Sequence, residues 1–197
     1  MQDHTILVNF SKFPDQGMKN IIKINKVINP FNKTIYVEGD KSLSIRWVLL
    51  SSLSKKTSVA YNLLISDDVK NAIECIKKLG AKVKINKKKC EITGVGFNYK
   101  IKKDLVLNAG NSGTLGRLIL GLLINSKYPI KLIGDKSLSK RDFKRVSQPL
   151  SLFGAHFKLK KNNNLPLTIC GSSNLKPINY NEQRGSAQCK SSIIFGG

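Results

Sequence analysis

A chain of 197 residues, 41% of them hydrophobic, is long enough for one ordinary core, and no apolar run reaches the roughly 18 residues that a membrane-spanning helix needs. The 34 Lys and Arg against 12 Asp and Glu give a net charge of +22, which attracts anions. Yet the lysines spread along the whole chain and the aromatic residues do not interleave with them, so no nucleic-acid stacking platform is visible. The cysteines Cys75, Cys90, Cys170 and Cys189 and the histidines His4 and His156 lack the spacing of a zinc site or disulfide framework.

Residues 1–20 show neither a period nor the apolar core of a signal peptide, so they are expected to be a disordered extension of a cytoplasmic protein, with Met18 its expected true start. Ile21–Ile24 is strand-like, and Ile35 and Val37 alternate before a turn at Gly39-Asp40. Residues 42–54 predict a helix capped by Ser42 or Asp40, and Ser58–Leu64 a strand. Val69, Ala72, Ile73, Ile76 and Leu79 follow helical spacing behind a Ser66-Asp67-Asp68 cap, with Gly80 as the stop. Ala81–Ile85 and Cys90–Thr93 read as a hairpin.

Leu105–Leu107 predicts a strand running into a helix from Ser112 to about Ile124, followed by a strand at Ile130–Ile133. Residues 141–153 predict a helix kinked at Pro149 and closed by Gly154. Strands at His156–Lys160 and Pro166–Cys170 precede a last helix that opens near Ser186, with its apolar Ile193, Ile194 and Phe195 expected to stand exposed. The fold class is α+β, with helices packed under mixed sheets. Ser42, Ser112 and Ser186 each open a helix at intervals of seventy-odd residues, and Gly-Asp-Lys-Ser-Leu-Ser occurs twice, at 39–44 and 134–139, so the chain carries an internal repeat.

Four of these helix starts suit an anion. Lys41, Ser42 and Arg46 would place an ammonium, a hydroxyl and a guanidinium beside free backbone N–H groups. Asn111-Ser112-Gly113-Thr114 with Arg117 offers a close backbone approach at Gly113, although no Gly-Lys-Ser/Thr makes it a phosphate loop of the Walker kind. Lys140-Arg141 with Lys144-Arg145 and Arg184-Gly185-Ser186-Ala187-Gln188 complete the set. Against each stands a plainer account, a capped helix with solvent-facing cations, which spacing alone leaves open.

Taken in order, the segments resemble the 5-enolpyruvylshikimate-3-phosphate synthase family of enolpyruvyl transferases. The family patterns G-[DS]-K-S-[LIV]-S-x-R, S-D-D-V with L-G-A, N-[SA]-G-T-x-x-R, G-D-x-S-L-x-x-R and S-[AS]-Q-x-K-S are matched by Gly39–Arg46, Ser66–Val69 with Leu79–Ala81, Asn111–Arg117, Gly134–Arg141 and Ser186–Ser191. The resemblance runs from about Ile21 to Gly197. It implies repeated strand–helix units of the enolpyruvyl transferase fold. Residues 41–197 would then form a first lobe, incomplete in its third repeat, and residues 21–40 a segment leading in from the other lobe. It implies transfer of the enolpyruvyl group of phosphoenolpyruvate to the 5-hydroxyl of shikimate 3-phosphate, without metal or cofactor, in a protein that is monomeric at full length and uses small anionic substrates rather than nucleic acid or membrane.

The resemblance also implies roles. Lys41 would touch both substrates, and Ser42 and Arg46 the shikimate carboxylate. The Gly113 N–H and Arg141 would hold the phosphate of phosphoenolpyruvate. Ser186 and the Ala187 backbone would hold the phosphate of shikimate 3-phosphate, with Gln188 between the ligands. Asp67 and Asp68 read as a helix cap. The family is about twice this long and places proton-handling carboxylates in its second half, so the chain is expected to be a fragment, inactive alone. A sister family that acts on UDP-N-acetylglucosamine shares the fold but lacks the K-S-L-S-x-R spacing, and a basic nucleic-acid-binding module would leave the ordered motifs unexplained.

Overall fold

The computed structural model describes residues 6–9, 21–24, 32–86, 89–97, 99–183 and 185–197. The chain divides into two units, residues 1–37 and 38–197. In the first, β1 (Ile6–Asn9) pairs antiparallel with β2 (Ile21–Ile24), Ile6 lying opposite Ile24. β1 falls within residues 1–20; Met18 and the remainder of that stretch lie outside the described residues. The alternation of Ile35 and Val37 does not make a strand: residues 32–40 have no regular structure, and both side chains are exposed.

The second unit opens with α1 (Lys41–Ser52), whose cap is Asp40: its carboxylate accepts the Leu43 N–H at 2.7 Å, while Ser42 lies inside the first turn. Ile45, Val48 and Leu49 bury the inner face. β3 (Thr57–Tyr61) stops short of the expected Leu64 because Asn62 turns into the left-handed region at φ 56°. α2 (Asp67–Lys78) buries Val69, Ala72, Ile73 and Ile76 as its spacing predicts, and Gly80 at φ 106° ends it. β4 (Lys82–Asn86) and β5 (Lys89–Thr93) pair antiparallel, and with β3 they form a sheet of order β3–β5–β4.

β6 (Val106–Asn108), α3 (Gly113–Leu122) and β7 (Ile130–Ile133) form a parallel crossover unit. A 3-10 turn (Leu138–Lys140), α4 (Lys144–Leu152), β8 (His156–Lys160), β9 (Asn164–Cys170) and α5 (Ala187–Gly196) follow. The second sheet has the order β6–β7–β9–β8, antiparallel except between β6 and β7. α1 and α2 pack on the first sheet and α4 on β8, while α3 touches all four other helices. All ten residues of α3 are buried, which suits a helix with one charged side chain among apolar and small ones.

The two Gly-Asp-Lys-Ser-Leu-Ser copies share a cap and then part. Asp135 accepts the Leu138 N–H at 2.7 Å, as Asp40 does for Leu43. After the first copy, Ile45 and Val48 have a core to enter and the helix continues. Lys140-Arg141-Asp142 after the second has no apolar anchor. Arg141 is extended (φ −83°, ψ 146°), and Asp142 starts a new helix by accepting the Lys144 N–H at 2.6 Å. α4 therefore begins at Lys144 rather than residue 141, and Arg141 stands on a short extended arm.

Pro149 lies inside α4 and cannot supply the N–H that the Arg145 carbonyl would receive. The Cys189 thiol of α5 donates to that carbonyl at 3.2 Å instead. α5 also differs from expectation. Gly121 of α3 lets the Ser192 backbone come close, and Phe195 packs there at 8% exposure, so only Ile194, at 72%, stands out. Small residues on α3 supply the surface that α5 covers. Among the described residues, no helix is long and apolar enough to cross a membrane, and no cluster of three or more His, Cys, Asp or Glu could hold a metal.

Candidate anion-binding site

Three helix starts meet through α5. Ser112 and Ser186 cap α3 and α5, their hydroxyls accepting the Leu115 and Cys189 N–H groups, each at 3.2 Å. The Ser186 oxygen is thus already an acceptor, which leaves its O–H free to donate. In the first turn of α5, Gln188 reaches α3: its amide accepts from Arg117 Nη1 at 2.6 Å and donates to Thr114 Oγ1 at 3.1 Å. On the same helix, Ser191 Oγ accepts from Arg46 Nε and Nη2 of α1 at 3.2 and 3.1 Å, and donates to the Ala187 carbonyl at 2.8 Å. Arg46 Nη1 also donates to the Ser42 carbonyl at 3.2 Å.

Arg141 closes the cluster from its extended arm. A Cβ on Gly113 would lie 2.8 Å from Arg141 Nη1 and 3.2 Å from Arg117 Nη1, so two guanidinium ends crowd the N-terminus of α3. Arg117 is 7% exposed, sits over the Phe143 ring at 5.6 Å and donates from Nη2 to the Asp142 carbonyl at 3.4 Å. Burial, and then the charges of Arg145 and Arg141, push its pKa below the ordinary guanidinium value. The four ion pairs among the described residues all use lysine, and none involves Arg117, Arg141 or Arg145; Asp142 is the acidic neighbour of Arg117. Such a concentration of cations at a helix N-terminus favours a bound anion.

Lys41 stands apart from this cluster, at the opening of α1, where its Nζ pairs with Asp68 at 3.0 Å. Asp67 instead pairs with Lys70 at 3.1 Å. Ser66 occupies the cap position of α2 but makes no cap bond, and its hydroxyl is buried without a partner. Lys140 ends the 3-10 turn, Lys144 and Arg145 open α4 exposed, and Arg184 lies outside the described residues. A cavity of about 350 Å³ is lined by Asp142, Lys144, Arg145, Gln148, Tyr180, Asn181, Glu182 and Gln183 and contains none of the eight predicted site residues. The charge cluster beside it is the better guide to chemistry, because two guanidinium ends converge on Gly113 at the start of α3. Sequence reasoning named Thr114 and Ser191 within their motifs but missed their contacts with Gln188 and Arg46, and the tie between Lys41 and Asp68. Ser191, a helical turn beyond Ala187, carried a faint periodic signal.

A profile of the family described as EPSP synthase (3-phosphoshikimate 1-carboxyvinyltransferase) matches residues 26–197. This chain belongs to the EPSP synthase family. It is 42% identical over 162 residues to the 3-phosphoshikimate 1-carboxyvinyltransferase of Caldicellulosiruptor saccharolyticus, covering 82% of this chain and 37% of that protein. It is 38% identical over 175 residues to that of Zymomonas mobilis, covering 88% and 39%. The solved EPSP synthase of Acinetobacter baumannii superimposes with a TM-score of 0.78 at 33% identity, over 83% of this chain and 37% of that one. The chain therefore spans about two fifths of the length of the EPSP synthases it matches.

Proposed function

We propose that this chain binds shikimate 3-phosphate and phosphoenolpyruvate and contributes one side of a site that transfers the enolpyruvyl group to the 5-hydroxyl, releasing phosphate. The observation that carries this reading is the arginine cluster beside Gly113, none of whose members takes part in the four ion pairs among the described residues. Gly113 and Arg141 hold the phosphate of phosphoenolpyruvate. Ser186 and the Ala187 backbone hold the phosphate of shikimate 3-phosphate, and Gln188 lies between the two ligands. Arg46 exchanges its Ser191 contact for the shikimate carboxylate beside Ser42, and Lys41 exchanges Asp68 for both anions. Arg46 thereby trades a half-buried contact with a neutral hydroxyl for a charged acceptor, and Lys41 trades one carboxylate for two anions, which favours the bound arrangement.

In the reaction the 5-hydroxyl gives up its proton as its oxygen adds to C2 of phosphoenolpyruvate, while C3 gains a proton. A proton then leaves C3 as the C2–O bond to phosphate breaks. Fixed cations lower the cost of the developing charge. Asp68 and Asp142, which lie near these groups, serve an ion pair and a helix cap. The chain alone is thus expected to bind without turning over. Calorimetric titration of 1–197 with each ligand, at low and at physiological salt, tests this together with a phosphate-release assay. Salt-sensitive binding of shikimate 3-phosphate with no phosphate release is expected. No binding at low salt would overturn the assignment, and phosphate release would show that the chain carries its own proton carrier.

A further inference from the structure

Gln188 can face an anion in two ways, and only one of them helps. Its amide ends in a carbonyl oxygen and an NH2 group, and a half-turn about the last bond exchanges them. A carbonyl pointed at a phosphate or carboxylate repels it, whereas an N–H attracts it. The chain contains a device that selects between these. Arg117 can only donate hydrogen bonds, and its Nη1 lies 2.6 Å from Gln188 Oε1, so the carbonyl end is held against α3. The NH2 end is left to donate: one hydrogen goes to Thr114 Oγ1 at 3.1 Å, and the amide has a second to give. Arg117 cannot easily yield. It is 7% exposed, it lies over Phe143, its Nη2 reaches the Asp142 carbonyl, and the Ser192 hydroxyl bonds its backbone carbonyl at 2.9 Å.

We propose that Arg117 is a positioning residue that fixes the amide orientation of Gln188, so that Gln188 meets the anionic ligand as a hydrogen-bond donor. The same guanidinium lies beside Gly113 and faces Arg141 and Arg145 from α3 and the α4 arm, with Asp142 as its acidic neighbour. This proposal rests on the substrate reading above for the identity of the anion, but the orientation itself is a property of the free chain.

The test uses Arg117→Met, Arg117→Lys, Gln188→Ala and the Arg117→Met/Gln188→Ala pair in the 197-residue chain. The first readout is the side-chain amide NMR pair of Gln188 without ligand. In the parent chain it should be displaced from the signals of exposed glutamines. Arg117→Met should return it to them, and Arg117→Lys, which keeps one donor, should restore part of the displacement. The second is phosphoenolpyruvate affinity in the presence of shikimate 3-phosphate. It should fall about tenfold in either single variant and no further in the pair, because one charge-assisted contact is lost only once. Affinity for shikimate 3-phosphate alone should change much less. A Gln188 amide pair that ignores Arg117→Met, or losses that add in the pair, would overturn the proposal and leave Arg117 as a bolt between α3 and α5. If Arg117→Met does not fold, the Arg117 guanidinium signals in Gln188→Ala decide the matter: a shift is expected and its absence overturns the claim. If the parent chain binds no phosphoenolpyruvate, the substrate reading fails, while the ligand-free spectra still judge the orientation.

Discussion

If Gly113 and Arg141 hold the phosphate of phosphoenolpyruvate as proposed, Gly113→Ala separates that ligand from shikimate 3-phosphate. Gly113 is the first residue of α3 and has an ordinary helical backbone, so alanine costs little locally and can even favour the helix. The new methyl would lie 2.8 Å from Arg141 Nη1, and reaching ordinary contact requires that end to retreat by about half an ångström or more. Arg141 is exposed on an extended arm and can move; Arg117, 3.2 Å from the methyl and buried, moves little. The displaced fork loses one charge-assisted hydrogen bond to the phosphate, about 1.5–3 kcal/mol, or roughly ten- to hundredfold in affinity. Calorimetry should show that loss for phosphoenolpyruvate, near-parent affinity for shikimate 3-phosphate, and a Tm within a few degrees of the parent. Equal losses for both ligands with a lowered Tm would mean a folding defect, and an unchanged phosphoenolpyruvate affinity would refute the placement of Gly113 and Arg141 on that ligand.

Lys41→Met breaks an ion pair whose lysine is 53% exposed, so its stability cost should be about 0–1 kcal/mol, while binding of both ligands falls tenfold or more in the same titrations. Unchanged binding would remove Lys41 from the site. Gly121→Ala places a methyl against the Ser192 carbonyl and Phe195 and should cost about 1–3 kcal/mol, read as a fall in Tm of roughly 2–4 °C per kcal/mol. Burial pushes the Cys75 thiol up to about 12 and the Cys189 thiol to about 11 from an ordinary 9.0. The folded chain keeps these protons where the unfolded chain loses them. Their contribution is therefore complete below pH 9 and lost as pH rises from 9 toward 12. A Tm measured from pH 8 to 11 should fall above 9, less steeply in Cys75→Ala, and a flat profile would contradict the burial argument.

The parts of this fold that could be read from sequence were those decided by near neighbours. α2 has apolar residues at helical spacing and a glycine stop, and β7 was placed to the residue, because each pattern answers to one buried face. The start of α4 was misplaced because the Lys140–Asp142 charges look helical until one asks what they could bury. The packing of α5 was misread for a related reason: its partner is a helix surface made by Gly121, far away in the chain, rather than a sheet. In the candidate site, Lys, Arg and helix-opening Ser residues announced anion chemistry. Their pairings did not, since Arg46 meets Ser191 across 145 positions and Gln188 meets Thr114 across 74. The two helix-opening aspartates that precede Lys41 and Lys136 were legible as turns, but only Asp40 was weighed as a cap.

Those paired aspartates bear on how such a site can change over generations. The two identical hexapeptides end in different geometries because of the residues that follow them, so the reach of the nearby cation is set downstream of the motif. One copy leaves Arg46 on a helix face, tied to the spacing of that helix; the other leaves Arg141 on an arm whose length is set by where Asp142 restarts the helix. Substitutions at Lys140 and Asp142 that allowed α4 to begin earlier would wind Arg141 into a turn and draw its guanidinium back from Gly113, with the hexapeptide itself untouched. Residues outside the recognisable signature can thus retune the grip on an anion, and sequence variation at 140 and 142 is the place to look for it.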